Sequence, residues 1–411
     1  MNSTINGYRL LSELKPDKSG FAKWGFATKN GREYFIKEFL SPIYPMDTSV
    51  LSPAQIQSKR NICSKFDIDK RMFYTELNKC LNGNVVIISD FFRYESRFYL
   101  ITEKITATNL TPQQVAKFNL AQKILIAKVI LHSVAMLHKH GIVHSDIKAD
   151  NILFKQTPLG VYTAKLIDFD SSFFETKPPD SNDDFQGDMV YFAPESFLFI
   201  AEECGTPSCK IDVFALGILF HQYFCGDLPQ FDKSKYAYAF EAILDGGGVT
   251  VNPSIPKFVA DVIRKMLAKN PEDRPSAESC FNYLQYYCSN PGAKIEDIDR
   301  SIAVSKELKD SGTVFVVETK HDVKKTYDPL DGDISPDDAG VGTTLGIRRA
   351  NVYVTTPGGV KIPSHLVSPS GISSSSGVRS TPSSYAETSG STPRTSKSTP
   401  DKHFMKADDL S

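Results

Sequence analysis

The octapeptide His144–Asn151 and the tripeptide Asp168–Asp170 constrain this chain of 411 residues more than any other feature. A long apolar run leads into the octapeptide, and a short apolar hairpin separates it from the tripeptide. Asp146 can accept a proton from an alcohol, while Asn151 and Asp168 offer oxygen ligands of the kind that Mg²⁺ prefers. Two acids and an amide placed in this way indicate phosphoryl transfer, in which the protein supplies mainly position and charge.

Composition excludes several other classes of protein. The net charge of −1 gives no electrostatic reason to expect nucleic acid as a partner. Seven cysteines at scattered positions argue against a disulfide framework and suit a reducing cytosol. The first residues lack the pattern of a signal peptide, and no apolar run of about 18 residues predicts a membrane span. Ile124–Leu137, the most apolar stretch, is predicted to be a buried core helix. We therefore expect a cytoplasmic protein.

The first hundred residues predict a small sheet and one helix. Asn30-Gly31 is a strong hairpin signal between two of the predicted strands. Helical spacing of apolar residues follows from about Pro53 to Cys80, and two further apolar runs have the length of strands. The predicted strands are Tyr8–Leu14, Ala22–Thr28, Glu33–Phe39, Val85–Ile88 and Phe98–Thr102.

Helices dominate after Thr111. The long pattern Gln113–His140 stops near Gly141. A strand-rich lobe followed by a helical lobe predicts an α+β fold in two parts, at about 8–105 and 106–288, with a ligand cleft between them. The other predicted helices are Ile211–Cys225, Ala237–Leu244, Lys257–Ala268 and Ala277–Tyr287.

Residues 289–411 have a different composition. Ser, Thr, Pro and Gly dominate from Ser364 to Pro400, and such a segment cannot offset its ordering entropy, so we expect a largely disordered tail. Its hydroxyl residues that precede proline suit either autophosphorylation and docking or a mere spacer. From residue 356 onward they are Thr356, Ser368, Thr381, Thr392 and Thr399.

The order of several motifs over residues 8–288 resembles the eukaryotic-type protein kinase family, whose bilobal fold the chain is then expected to adopt. Lys37 lies in Tyr34-Phe35-Ile36-Lys37, and Gly187–Glu195 resembles the end of an activation segment, with Ala193-Pro194-Glu195 intact. Asp212 resembles the buried helix acid that anchors the catalytic loop, and Arg274 the arginine that pairs with Glu195. The minimal loops, with no span or sensory domain, suit a bacterial member.

The resemblance implies a role for each matching residue. Asp146 is the expected catalytic base, Asn151 and Asp168 the metal ligands, and Lys37 the ligand of the α- and β-phosphates of ATP. Lys148 is typical of members that act on serine and threonine, and can neutralise the transferring group. Adenine is expected beside Thr102, the gatekeeper, and the backbone of Glu103, Lys104 and Ile105. Glu76 is the preferred helix acid for Lys37, with Asp67 and Asp69 as competitors.

Four departures from the family pattern leave alternatives open. In the glycine-rich loop only Gly20 is secure, and the nearby Lys18 and Lys23 either are solvated or supply charge to the phosphates. Phe35 replaces alanine against the adenine and is expected to narrow the pocket. Asp170 replaces a glycine, as a third metal ligand or as a turn residue bonded to its own backbone.

The fourth departure is Ser145, which replaces an arginine that pairs with phosphate on the activation segment. We therefore expect activity without that phosphorylation, and alanine at Ser171, Ser172, Thr176 and Ser181 should preserve the rate. The sequence thus predicts a signalling serine/threonine protein kinase that uses Mg-ATP and protein substrates. The alternative is a pseudokinase scaffold that acts by binding only.

Overall fold

The computed structural model describes residues 3–299 with short gaps, and two segments beyond them, Tyr353–Thr355 and Lys361–Pro363. The gaps are residues 18–19, 47–49, 81–83, 109, 159, 180–184, 204–205, 291, 293 and 297. The chain forms two compact units, Met1–Leu366 and Val367–Ser411, and the second lies wholly outside the described residues. Most of the predicted disordered tail, together with Lys18 and Ser181, also lies outside the described residues.

A seven-stranded antiparallel sheet forms the first lobe. The spatial order is β1-β2-β4-β5-β7-β6, with β3 paired to β4. One face of the sheet carries a small apolar cluster that includes Ala27, Ile36 and Ile101. The opposite face carries Lys37, because successive side chains of a strand point to opposite faces. The strands are β1 Thr4–Ile5, β2 Tyr8–Leu10, β3 Lys15–Pro16, β4 Ala22–Lys29, β5 Arg32–Phe39, β6 Ile88–Tyr94 and β7 Arg97–Glu103.

Helix α1, Pro53–Leu77, packs against this sheet. Ser52 starts it with a capping box, since its hydroxyl accepts from the Gln55 amide and the Gln55 side chain accepts from the Ser52 amide. Cys63, Phe73, Tyr74 and Leu77 are its buried residues. The sequence-based prediction for this helix is confirmed to within a few residues.

The second lobe is built around α3, Leu120–Lys139, and α5, Lys210–Cys225. Among the described helices, α3 alone is long and apolar enough to cross a membrane. Its Ile126, Leu131 and Val134 are buried in the main hydrophobic core. The remaining elements are α2 Pro112–Ala116, β8 Ile142–Val143, β9 Ile152–Gln156, β10 Tyr162–Leu166, β11 Phe173–Phe174, α4 Pro194–Ile200, α6 Ala239–Leu244, α7 Lys257–Met266 and α8 Ala277–Ser289.

Three predictions of elements are wrong. The predicted single helix over 113–140 is two, because Asn119 caps a new helix by accepting from the Gln122 amide at 2.9 Å. The strand predicted at Tyr8–Leu14 ends at Leu10, and the strand predicted at Val85–Ile88 begins only at Ile88. Val85 and Val86 are apolar because they pack in the core, where the Val86 amide donates to the Leu166 carbonyl at 3.0 Å.

The helical lobe continues beyond the predicted boundary at residue 288. Ile295 and Ile298 are buried in the same core as α5 and α7, and the Tyr283 hydroxyl donates to Asp299. Further along, β12 Tyr353–Thr355 and β13 Lys361–Pro363 pair as an antiparallel hairpin within the predicted tail.

Candidate active site

A buried aspartate holds the backbone of the octapeptide loop. Asp212, in the first turn of α5, is 1% exposed. Its Oδ2 accepts from the His144 amide at 2.8 Å and its Oδ1 from the Ser145 amide at 2.9 Å. Ser145 has a φ of 69°, a left-handed conformation that needs such support in a residue other than glycine. The predicted anchoring role of Asp212 agrees with this geometry.

Asp146, Lys148 and Asn151 form one bonded cluster. The Lys148 Nζ lies 3.0 Å from Asp146 Oδ1 and 2.8 Å from Oδ2. The Asn151 Nδ2 donates to the Asp146 carbonyl at 2.8 Å and to Asp146 Oδ2 at 2.9 Å. A carboxylate that accepts from a cation and an amide is fixed in direction, as a group that must meet an incoming hydroxyl requires.

His144 is fixed as a neutral ring behind this loop. Its Nδ1 accepts from the Asp146 amide at 3.3 Å, so its Nε2 carries the hydrogen and donates to the Ile167 carbonyl at 3.2 Å. Burial lowers the pKa of His144, and the ring lies 4.8 Å from that of Phe169. The expectation that His144 packs against Phe169 is confirmed, and this arrangement excludes the ring from acting as a base.

Lys37 reaches the second acidic motif across 131 residues of sequence. Its Nζ lies 3.4 Å from Asp168 Oδ1 and forms a closer ion pair with Asp170. Burial acts to lower the pKa of Lys37, but Asp170 and Asp168 together outweigh it and raise that pKa. Burial and the adjacent Asp170 raise the pKa of Asp168, against the opposing effect of Lys37. The lysine is therefore held protonated between two carboxylates.

The prediction that Glu76 pairs with Lys37 is wrong. Glu76 accepts from His140 Nδ1 at 2.7 Å and from Lys79 Nζ at 2.6 Å, near the last turn of α1. These two contacts lower the pKa of Glu76, with Lys79 making the larger contribution. Both alternatives predicted for Asp170 also omitted its ion pair with Lys37.

The donor set suits a divalent cation bound together with phosphates. Because the Asn151 amide nitrogen faces Asp146, its oxygen lies on the other side of the group. That oxygen and the Asp168 carboxylate are hard ligands of the type that Mg²⁺ takes. Within the described residues no group of three or more His, Cys, Asp or Glu forms a metal cage. Mg²⁺ commonly uses one or two protein ligands with substrate phosphates, so the two residues fit.

The expected adenine residues lie at the end of β7. Thr102 is 6% exposed and stands opposite Phe35 of β5. The Glu103 carboxylate is paired with Lys165 of β10, while Ile105 is half-buried against the core. These residues lie in the connection between the two lobes, near the predicted boundary at about residue 105.

Phe35 belongs to an aromatic cluster on the face of the sheet that carries Lys37. Its ring stacks on Trp24, with centroids 5.8 Å apart, and lies edge-on to Phe26 at 6.2 Å. Trp24 is the cross-strand partner of Lys37, and Phe26 that of Phe35. Three half-buried rings therefore occupy the part of the cleft in which the family pattern has an alanine at the position of Phe35.

Gly20 lies in the turn between β3 and β4, with a φ of 75°. Its amide donates to the Asp17 carbonyl at 3.4 Å, while the Asp17 amide donates to the Ala22 carbonyl at 3.0 Å. The positive φ explains why glycine is retained here. Its amide closes a turn, and Gly20 remains a predicted phosphate-binding residue by position alone.

The predicted pairing of Arg274 with Glu195 is confirmed. Arg274 is 1% exposed, and its guanidinium donates to both Glu195 oxygens, at 2.5 and 2.8 Å. The same group donates to the carbonyls of Ala268, Lys210 and Lys269. A buried arginine with all these acceptors joins the end of the activation segment to the helical lobe.

Sequence reasoning missed two contacts of the site. Asp170 is the nearer carboxylate of Lys37, and Lys70 of α1 lies with its Nζ 3.5 Å from the Asp170 carbonyl. A signal for Lys70 was present, since it stands four residues after Phe66 and four before the buried Tyr74. That spacing places all three on one face of a helix.

A strand-rich lobe joined to a helical lobe, with a lysine, two metal-type ligands and an aspartate between them, defines the protein kinase class of fold. Residues 60–284 match the model of the protein kinase domain family, which is more than half of the chain. The chain belongs to that family. The match begins within α1, so Lys37 lies outside it and is assigned to the site by its contacts.

The chain is similar to several curated protein kinases. It is 27% identical over 235 residues to "Calcium-dependent protein kinase 24" of Arabidopsis thaliana, covering 55% of this chain and 38% of that one. It is 28% identical over 197 residues to "Probable serine/threonine-protein kinase PknB" of Lactococcus lactis subsp. lactis, covering 46% and 30%. The chain therefore spans well under two thirds of the length of these relatives.

Proposed function

We propose that this chain is a serine/threonine protein kinase that transfers the γ-phosphate of Mg-ATP to hydroxyl groups of proteins. The observation that carries the proposal is the bonded cluster of Asp146, Lys148 and Asn151, held on the backbone that Asp212 anchors. This cluster combines a directed carboxylate, a cation and an amide oxygen in one loop. Serine/threonine kinases among the relatives support the same class of reaction.

The proposal gives a role to each of five residues of the site. Asp146 orients the substrate hydroxyl and accepts its proton. Lys148, held by Asp146, faces the transferring group and neutralises its charge. Asn151 and Asp168 hold Mg²⁺, and Lys37 holds the α- and β-phosphates. Bound ATP would supply the phosphoryl group, and its Mg²⁺ would neutralise the developing charge.

Transfer of radiolabelled phosphate from ATP to a panel of serine- and threonine-containing peptides tests the proposal. The control is Asp146→Asn, which keeps the shape of the side chain and removes the carboxylate. Label that depends on Asp146 supports the enzyme. The pseudokinase alternative predicts that the chain binds nucleotide or a partner without transferring phosphate. Equal label from the wild type and Asp146→Asn would contradict the hypothesis that the chain is an enzyme.

We also infer that the tail is a substrate of the same site. Five of its Ser-Pro and Thr-Pro hydroxyls, those from Thr356 to Thr399, supply the chemical groups, and all five lie outside the described residues. Mass spectrometry of the chain produced with and without Asp146→Asn tests this. Phosphate at these positions in the wild type, but not in Asp146→Asn, supports autophosphorylation. If the tail carries no phosphate that depends on Asp146, the proposal is wrong and the tail is interpreted as a spacer.

A cytoplasmic location is proposed from the thiols. The six cysteines within the described residues are free, among them the buried Cys63, Cys80 and Cys280. Unpaired buried thiols suit a reducing compartment. Fractionation of cells that express the tagged chain tests the location, and recovery from an oxidising compartment would contradict it.

A further inference from the structure

Lys37 forms ion pairs with two carboxylates, and the nearer one belongs to Asp170, on the loop after β10. Lys37 is 8% exposed, and a buried ammonium needs a paired acid to keep both its charge and its position. Asp168 also contacts it, at 3.4 Å, but Asp168 is the expected ligand of the cation. A lysine held by Asp168 alone would compete with the metal for the same oxygens.

Helix α1 supplies no alternative acid, since each of its three carboxylates is engaged elsewhere. Asp67 accepts from Arg71 Nε at 3.0 Å, and Asp69 pairs with Lys177 at 2.8 Å. Glu76 is occupied by Lys79 and His140. Within the part of the chain that the structure describes, the ion-pair partners of Lys37 are Asp168 and Asp170.

The group that α1 does bring to this place is a cation. Lys70 lies on the face of α1 that carries the buried Tyr74, and its Nζ is 3.5 Å from the Asp170 carbonyl. The same Nζ lies 5.9 Å from the ring centroids of Phe39 and Tyr74. Lys70 therefore places a second ammonium group next to the backbone of Asp170.

The backbone accommodates an acid at position 170. The left-handed residue of the tripeptide is Asp168, with a φ of 63°, whereas Asp170 does not have a positive φ. Glycine is therefore not required at 170, and a side chain there incurs no left-handed strain. The carboxylate can serve Lys37 without distorting the turn.

We propose that Asp170 is the positioning residue that holds Lys37 for the nucleotide phosphates, and that Lys70 of α1 balances its charge. The loop thereby carries the acid that orients the phosphate-binding lysine, whereas that acid was expected on α1, and α1 carries a cation instead. The inference rests on the proposed function, because it assigns Lys37 to nucleotide phosphates.

The test uses the full chain and three readouts: the dissociation constant for Mg-ATP by calorimetry, the KM for ATP and kcat of phosphate transfer, and the thermal midpoint. Asp170→Asn keeps the shape of the side chain and removes the charge. Loss of an orienting outer partner typically costs about 10–100-fold in affinity or activity. We expect Asp170→Asn to weaken Mg-ATP binding and raise the KM within that range. Asp67→Asn, a matched change on α1 away from Lys37, should leave both within about twofold.

A charge exchange separates orientation of Lys37 from a structural role in the turn. Asp170→Gly and Lys70→Glu should each weaken Mg-ATP binding, the first by removing the acid and the second by placing a third carboxylate beside Asp168 and Asp170. The double variant Lys70→Glu/Asp170→Gly moves the acid onto α1. We expect it to bind Mg-ATP more tightly than either single variant, by about tenfold.

Two results would overturn the inference. One is Asp170→Asn with wild-type affinity and KM, which leaves Asp170 as a turn residue. The other is a folded double variant, with a wild-type thermal midpoint, that binds no better than Asp170→Gly. Because nucleotide binding is measured without turnover, a chain that binds Mg-ATP through Asp170 but transfers no phosphate would refute only the proposed function.

Discussion

Asp212 shows how strongly the candidate site depends on one buried side chain behind the catalytic loop. It accepts from two backbone amides of that loop and from His138 Nε2 at 3.0 Å. Asp212→Ala leaves buried N–H groups without an acceptor, at a cost of about 1–3 kcal/mol each. We expect a lower free energy of unfolding in urea, and a lower kcat because the loop backbone is released.

The matched control for this prediction is Asp261→Ala on α7. Asp261 pairs only at the surface, with Lys257 at 2.8 Å and Arg264 at 2.5 Å, and such pairs contribute roughly 0–1 kcal/mol. Equal losses of stability from Asp212→Ala and Asp261→Ala would show that the buried contacts of Asp212 do not anchor the loop.

Contacts within a motif, and contacts between motifs that the resemblance pairs, were predicted well, whereas the partner of Lys37 was not. Asp146, Lys148 and Asn151 span six positions, so the local motif fixes their geometry. The partner of Lys37 depends instead on how the sheet, α1 and the loop at Asp170 meet. Spacing along α1 placed Lys70 on the buried face, but resemblance led to a search for an acid.

At the scale of elements, aromatic packing holds the activation segment against the helical lobe. Phe185 is buried, with ring centroids 5.8 Å from Phe192 and 5.6 Å from Phe199. Ser145 Oγ donates to the Gln186 carbonyl at 3.3 Å, in the place where a phosphate-binding arginine was expected. This packing orders the described part of the segment by apolar contacts.

We therefore expect Ser171→Ala/Thr176→Ala to retain activity within about twofold, since neither hydroxyl is needed as a phosphate acceptor. Phe185→Ala should lower kcat. It should also lower the free energy of unfolding by about 3–5 kcal/mol, as expected for the loss of a large buried ring. Ser172 is left unchanged because its hydroxyl donates to the His144 carbonyl at 2.9 Å. Peptide phosphorylation rates and urea unfolding provide the measurements. Collapse of activity in the Ser171/Thr176 variant would contradict this account.

The aromatic cluster of β4 and β5 gives a prediction about the nucleotide base. Phe35 stacks on Trp24, the cross-strand partner of Lys37, so it takes space in the cleft. Phe35→Ala should increase the use of ATP analogues with a bulky N6 substituent relative to ATP, measured as a ratio of kcat/KM. Phe92→Ala, on the opposite face of the sheet, is the control. An unchanged ratio in Phe35→Ala would place the base away from Phe35.

Element boundaries followed local signals more closely than apolar runs. The capping boxes at Ser52 and Thr111 and the Asn119 cap mark the starts of α1, α2 and α3, and each was visible in the sequence. The apolar run at Val85 led to a wrong strand prediction, because a segment that is buried in the core around a single β-bridge to Leu166 is as apolar as a strand of a sheet. Periodicity cannot separate these two causes in so short a run.

For the whole molecule, buried neutral histidines make stability depend on pH. His221 is fully buried, its Nδ1 donates to the Asp227 carbonyl at 2.6 Å, and its Nε2 accepts from the Asn252 amide at 2.9 Å. Burial lowers the pKa of His221 below its ordinary 6.5, as it does for His144. The unfolded chain therefore binds protons at a higher pH than the native state does.

It follows that the stability from His221 is present above about pH 6.5 and is lost as the pH falls below that value. The thermal midpoint should decrease between about pH 7.5 and 5.5. His221→Gln should lower the midpoint at the higher pH, through the lost contacts, and make its dependence on pH shallower. A variant with the full wild-type slope would show that His221 does not titrate on unfolding.

The central claim is that Asp146 makes the two-lobed fold a catalyst of transfer to serine and threonine. Its most direct test is the single-turnover rate of phosphate transfer from Mg-ATP to a serine peptide, for the wild type, Asp146→Asn and Asp150→Asn. Asp150 is an exposed acid of the same loop and serves as the matched control. We expect Asp146→Asn to be slower by about 10²–10⁴-fold, with Asp150→Asn near the wild type. Equal rates for the wild type and Asp146→Asn would contradict the account.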